Sequence, residues 1–171
     1  ASDVYKRQVI NHDCGHRSFF KRVGTNNLWG PLTGTIALVP FAYWRRDHAQ
    51  HHASSGNLDR RGVGDIWTLT VEEYLDLPRW RRLFYRLYRN PVVMFLVGPV
   101  FVFLVLYRVG DLKSPKADLA SIRINNLELA LIVGVAAWLI GIKAFFLVQA
   151  PIAYFAAVAG VWLFYVQHQF E

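Results

Sequence analysis

The chain has a single cysteine, Cys14, among 171 residues, so no intramolecular disulfide can form and the redox compartment is left open. No signal-peptide pattern opens the sequence as given, and it contains no internal repeat, low-complexity tract or polar linker between soluble domains. Acidic residues are scarce, 12 against 19 Lys and Arg, and charged residues make up only 18% of the chain. No Glu-x-x-His pattern occurs, so the carboxylate-rich metal site of soluble di-iron bundles is excluded. The remainder is apolar, 54% hydrophobic and 15% aromatic, too much for a typical soluble domain.

The formal net charge is +7, and nine arginines fall between Arg45 and Arg89. A basic cluster can be a nucleic-acid footprint. This one borders apolar runs, and the cytoplasmic flanks of membrane helices are enriched in Lys and Arg. The segment is therefore read as a cytoplasmic membrane face, with membrane lipids as neighbours and no nucleic acid partner.

Four apolar stretches frame the organisation. Pro91 to Tyr107 carries no charge and can cross a bilayer core of about 30 Å if flanking residues extend it, with a kink expected at Gly98 and Pro99. Arg108 to Asn126 turns polar and reads as a loop. Leu129 to Ile142 is short, a re-entrant or interfacial piece or an extension of its neighbour, whereas Ala144 to Val166 is uncharged and long enough to span. Leu28 to Trp44 is apolar but short and broken by Pro31 and Pro40, so it is expected to dip into the membrane and return. Thr68 to Arg89 reads as an interfacial helix broken at Pro78. There Arg81, Arg82, Arg86 and Arg89 would meet lipid phosphates while Leu83, Phe84, Leu87 and Tyr88 sink inward.

Five of the six histidines lie in two clusters, His12 and His16 in HDCGH, and His48, His51 and His52 in HAQHH. Residues three and four apart share one helix face, so each cluster aims its imidazoles in one direction. One polar histidine needs no special explanation. Five at these spacings beside membrane segments point to a metal site, since ionisable groups near lipid are costly unless they have a task. Five imidazoles exceed what one tetrahedral ion uses, which favours two ions. Nitrogen ligands suit Zn, Cu, Fe and Ni alike, so spacing does not choose the metal. If His168 joins His48 to His52 at one site, the chain crosses the membrane an even number of times between them. Pro91 to Tyr107 and Ala144 to Val166 satisfy that condition.

HDCGH followed by RSFF, a Gly- and Pro-containing apolar stretch and then FAYWRRDHAQHH resembles the membrane fatty acid desaturases. Within them it is most similar to the bacterial and plastid acyl-lipid omega-6 (delta-12) branch, and the likeness runs from Val9 onward. FYVQHQFE resembles the segment that this branch carries before its final histidine box. The resemblance implies an all-α integral membrane fold with four membrane helices and a cytosolic cap that holds two non-haem irons. It also implies O2-dependent removal of two hydrogens from an acyl lipid or acyl-carrier substrate, with electrons from ferredoxin or cytochrome b5. Carried over by position, His12 and His16 match the first box and His48, His51 and His52 the second. His168 matches the further histidine near the end of the last membrane helix. The third His-x-x-His-His box and the N-terminal membrane hairpin are not in the sequence. Residues 9–171 are thus expected to be a partial domain, residues 1–8 to lie outside it, and the polypeptide as given not to turn over.

Around the boxes, Asp13, Asp47 and Gln50 are the candidates to hold the second nitrogen of a ligating imidazole, with Asn57 and Asp59 read as solvated. Cys14 reads as a small buried residue and not a ligand. The six tryptophans, Trp44 included, read mainly as interfacial anchors. Hydroxylation or ketolation of lipids or carotenoids on the same scaffold is the nearest rival, and a non-enzymatic membrane metal-binding or haem-anchoring protein is the rival from another class. Haem or transport histidines would sit inside apolar spans, whereas His48, His51 and His52 lie in an Arg-flanked segment.

Overall fold

The computed structural model describes residues 2–54, 57–62, 66–110 and 114–167, with side chains from Val9 to Val166 within those ranges. Every long element among them is helical and none is a strand, so the all-α expectation holds. In chain order they are α1 (Ser2–Gly15), α2 (Val23–Ile36), α3 (Phe41–Ser54), α4 (Val71–Asp76), α5 (Arg79–Tyr88), α6 (Val93–Val109), α7 (Lys116–Ile140) and α8 (Ile142–Gln167).

α1 and α2 pack against each other, and their ends are closed by the same device. At the end of α1, Ser18 N–H donates to Asp13 C=O at 2.9 Å and Arg17 N–H to Cys14 C=O at 3.1 Å. At the end of α2, Val39 N–H donates to Gly34 C=O at 2.7 Å and Leu38 N–H to Thr35 C=O at 3.1 Å. Both closures need one left-handed residue, usually glycine, yet Arg17 (φ 59°) and Leu38 (φ 60°) fill the positions. Between α1 and α2, the fully buried Asn26 ties down the loop. Its Oδ1 accepts from Phe20 N–H at 3.0 Å, and its Nδ2 donates to Phe20 C=O at 2.7 Å and Arg22 C=O at 3.0 Å. That accounts for every strong valence of a buried amide, which would otherwise destabilise the loop.

α3 reaches α2 through glycine gaps. A Cβ at Gly30 would lie 2.2 Å from Phe41 Cζ, and one at Gly34 would lie 2.8 Å from Val39 O and 3.2 Å from Phe41 Cβ. Pro31 does not break the run as expected but sits inside α2, while Pro40 marks the interruption before α3. Pro31 removes only one donor from a helix otherwise intact, and it sits on the exposed side of α2.

The stretch from Lys116 to Asn126, expected as loop, is instead the first half of α7. Asp118, Asn125 and Asn126 are there because they face protein. Arg108 Nη1 donates to Asn125 Oδ1 at 2.8 Å and Asn126 Oδ1 at 2.9 Å, while Nη2 donates to Leu38 C=O at 2.6 Å. Asn126 Nδ2 returns a bond to Arg108 C=O at 2.8 Å, and Asn125 Nδ2 donates to Thr35 Oγ1 at 3.0 Å. Thr35 also contacts the Glu128 carboxylate, and Arg46 of α3 pairs with buried Asp118. Polarity reported a buried network, not a solvated turn.

α7 and α8 hold 25 and 26 residues, about 38 Å each and enough for a bilayer core of about 30 Å. Their surfaces are apolar and unburied, with Trp138 84%, Leu147 75%, Leu131 68% and Phe155 66% exposed. Contiguous apolar surface of that kind suits contact with lipid or with further protein. These two helices are long and apolar enough to cross a membrane, and Leu129 to Ile140, expected as a short piece, is the second half of such a helix, parted from α8 at Gly141. α6 qualifies only together with α5, from which it bends by 63°. Its path is disturbed at Pro99, as expected, but as two π-helical stretches, Val93–Val97 and Val102–Leu106, around an α-helical turn. Proline offers no N–H and its ring crowds the carbonyl four residues back, which widens the turn locally. The interfacial segment breaks at Pro78 as expected, giving α4 and α5, with Leu83, Phe84 and Leu87 more than half exposed. Arg82 and Arg86 turn back onto α4, to the Leu75 and Leu77 carbonyls and the Tyr74 hydroxyl.

Candidate metal centre

α1 and α3 each present one histidine stripe, and the two stripes meet. Ligand nitrogens of His12, His16, His48 and His52 all lie within 4.8 Å of one another. His48 is the hub: its Nε2 lies 3.0 Å from His16 Nε2 and 3.1 Å from His52 Nε2. A neutral imidazole carries one N–H and one lone pair, so a set of nitrogens pointing at one another is poorly served by protons alone. A cation at their centre would satisfy all the lone pairs together. Nitrogens about 2.1 Å from one ion lie about 3.0 to 4.2 Å apart, depending on the angle between them, so the cluster needs only slight rearrangement to close on a metal. The donor set fits.

The electrostatics keep the rings ready. His48 is 7% exposed, and burial, with the imidazoles of His12, His52, His16 and His51 around it, drops its pKa to about 3. Burial and the neighbouring His12 also lower His16. Both rings are therefore uncharged at neutral pH, the form that binds a metal. His12 Nδ1 lies 3.0 Å from Asp13 Oδ1, so Asp13, expected as a supporting residue, is within hydrogen-bond reach of that ring.

The other expected residues fall elsewhere. His51 is buried but sits outside the four-histidine group, its ring 6.3 Å from His48, 5.6 Å from His52 and 5.4 Å from Phe164 of α8. His168 lies outside the described residues. Asp47 pairs with Arg46 at 3.0 Å, and Gln50 is exposed, offering its backbone carbonyl to Ser54 Oγ at 2.9 Å. Asn57 Oδ1 accepts from Asp59 N–H and caps a short 3-10 turn, a structural task. Cys14 is fully buried, and burial then Asp13 push its thiol pKa up, so it is an inert packing residue as expected.

Trp44 was missed as part of the site. Its ring stacks on His48, with centroids 4.6 Å apart and planes 18° apart, and lies 6.2 Å from His12. The signal available in the sequence was its spacing, four residues before His48 on one helix face. The same stripe reads equally well as an interfacial aromatic, and nothing local separates the two.

The fatty acid desaturase family model matches residues 6–171. A fatty acid desaturase of Bacillus subtilis (strain 168) is 45% identical over 163 residues, which is 95% of this chain and 46% of the relative. An sn-1 acyl-lipid omega-3 desaturase (ferredoxin) of Nostoc sp. (strain 36) is 38% identical over 112 residues, 64% of this chain and 26% of that protein. An sn-1 oleoyl-lipid 12-desaturase of Synechocystis sp. (strain ATCC 27184 / PCC 6803 / Kazusa) is 39% identical over 83 residues, 48% of this chain and 23% of the relative. The chain thus spans less than half the length of these curated relatives. No solved structure matches it.

Proposed function

The chain belongs to the fatty acid desaturase family, and from that premise we propose that the protein inserts a cis double bond into an acyl chain of a membrane lipid. The observation that carries this reading is the gathering of His12, His16, His48 and His52 from two helices within 4.8 Å. Those four side chains would hold one iron, with the Asp13 carboxylate fixing the His12 ring. His51, turned toward α8, would hold a second iron together with His168. Neutral His48 and His16 need lose no proton to bind.

Bound iron supplies the O2-derived oxidant that an unactivated C–H bond requires. In the overall reaction, two C–H bonds break, one carbon–carbon π bond forms, and O2 with two electrons and two protons leaves as two waters. Two helices long and apolar enough to cross a membrane, α7 and α8, support access to acyl chains, and the basic segment around the second histidine cluster favours the cytoplasmic side for the site. A lipid-borne acyl chain is favoured over an acyl-carrier substrate, because relatives bear acyl-lipid names. The donor is assigned to ferredoxin, which a relative's name carries, with cytochrome b5 as the alternative.

The test is lipid analysis of a host that makes the full-length protein. A new cis double bond in C18 acyl chains is expected. Hydroxylated or keto lipids without new unsaturation would overturn the desaturase reading in favour of a hydroxylase or ketolase.

A further inference from the structure

Phe41, Trp44 and His48 occupy positions i, i+3 and i+7 of α3, a single stripe on one face of the helix. The first two residues of that stripe are each seated in a gap that only glycine leaves. Phe41 fills the space at Gly30 and Gly34 of α2. Trp44 fills the space at Gly15, where a Cβ would lie 2.7 Å from Cζ3 and 3.2 Å from Cη2 of the indole. Gly15 stands immediately before His16, so the indole is wedged between the two histidine-bearing helices. From that position it lies flat on His48, centroids 4.6 Å apart and planes 18° apart, while His16 and His52 meet the same imidazole edge-on.

The geometry points to Trp44 as a positioning residue that sets the plane of the His48 imidazole and the α1–α3 spacing across which the cluster closes. A lone imidazole on a helix turns about its terminal torsion between broad, nearly equal wells. A flat indole on one face leaves only orientations parallel to it. His48 Nε2 then points at His16 and His52 before any ion arrives. Ligand orientation fixed by outer residues is worth about 10- to 100-fold in metal affinity. The glycine at position 15 follows from the same wedge: any larger residue would drive the indole off His48. The consequence for metal affinity rests on the four-histidine cluster as the metal site, while the ring orientation does not.

The test uses the full-length protein in nanodiscs with selectively labelled histidine, first metal-free and then titrated with Co(II). In the metal-free protein the His48 ring protons are expected well upfield, shielded by the indole. Trp44→Phe is expected to keep an upfield shift and wild-type Co(II) affinity within a few fold. Trp44→Leu is expected to return the His48 signals to ordinary positions, weaken Co(II) binding about 10- to 100-fold and change the ligand-field absorption. Gly15→Ala, a much milder change, is expected to move both readouts in the same direction as Trp44→Leu, and it decides the matter should Trp44→Leu not fold. Unshifted His48 signals in the wild type, or signals and spectra indifferent to Gly15→Ala and Trp44→Leu, would overturn the assignment. Failure of the wild type to bind Co(II) with an intact ring shift would instead remove the metal reading and leave the Trp44 role standing.

Discussion

His16 and His48 are separated by 32 positions in the chain, yet their Nε2 atoms lie 3.0 Å apart. One closes the end of α1 and the other sits about two turns into α3, so the contact is a statement about helix packing and not about local sequence. Everything that seats α3 against α1 and α2 therefore bears on the site.

The helix interface gives the most local prediction. Gly30→Ala would place a methyl group 2.2 Å from the ring of Phe41, which is itself buried. Overpacking of that kind costs about 1–3 kcal/mol. Thermal denaturation is expected to show a lower midpoint for Gly30→Ala, whereas Gly24→Ala, which meets nothing within 4 Å, should leave it nearly unchanged.

Much of this was legible in the sequence, and the exceptions share a cause. The two histidine stripes were readable because a helix has a fixed period and a metal needs converging ligands. The α8 span was readable because lipid tolerates no charge. The start of α7 was not, because Asp118, Asn125, Asn126 and Glu128 look the same in a solvated loop as on a helix face buried against protein. Asn125 is 3% exposed and Asp118 5% exposed only because Arg108, Thr35 and Arg46 arrive from distant parts of the chain. The aromatic wedge at Trp44 was hidden for the same reason, its partner gap being at Gly15 on another helix.

That buried network yields a second prediction. Arg108→Ala leaves the Leu38 carbonyl and the Asn125 and Asn126 oxygens without their donor. Unpaired buried acceptors cost about 1–3 kcal/mol each, reduced where they find other partners. A total loss of about 2–4 kcal/mol is expected, read as a fall in the denaturation midpoint. No change would mean the guanidinium is dispensable for docking α7 against the α2–α3 turn.

The low pKa of His48 makes stability depend on pH in a defined direction. The unfolded imidazole takes a proton near its ordinary value of 6.5, whereas in the folded protein burial and neighbouring imidazoles hold it to about 3. Between those values the unfolded state binds more protons, so stability is full above pH 6.5 and declines as pH falls toward 3. Denaturation of the metal-free protein at pH 7.5 and 5.5 is expected to show lower stability at 5.5, and His48→Gln should flatten the difference. A His48→Gln protein as pH-sensitive as the wild type would contradict it.

His51 separates the one-ion from the two-ion picture. It stands outside the four-histidine group and faces Phe164. In the full-length protein, His51→Ala is expected to halve the iron content and abolish desaturation while leaving membrane insertion intact. Metal analysis beside a membrane-extraction assay checks it, and retained product formation would remove His51 from the ligand set.

The most direct test of the convergence of α1 and α3 on one ion is the iron content of purified full-length protein carrying His16→Ala, His48→Ala, or both. If the two helices share the ion, each single variant loses the same iron, and the double variant loses no more than either alone. Full iron in the His16→Ala protein, or losses that add in the double variant, would show that the two histidine stripes bind separately.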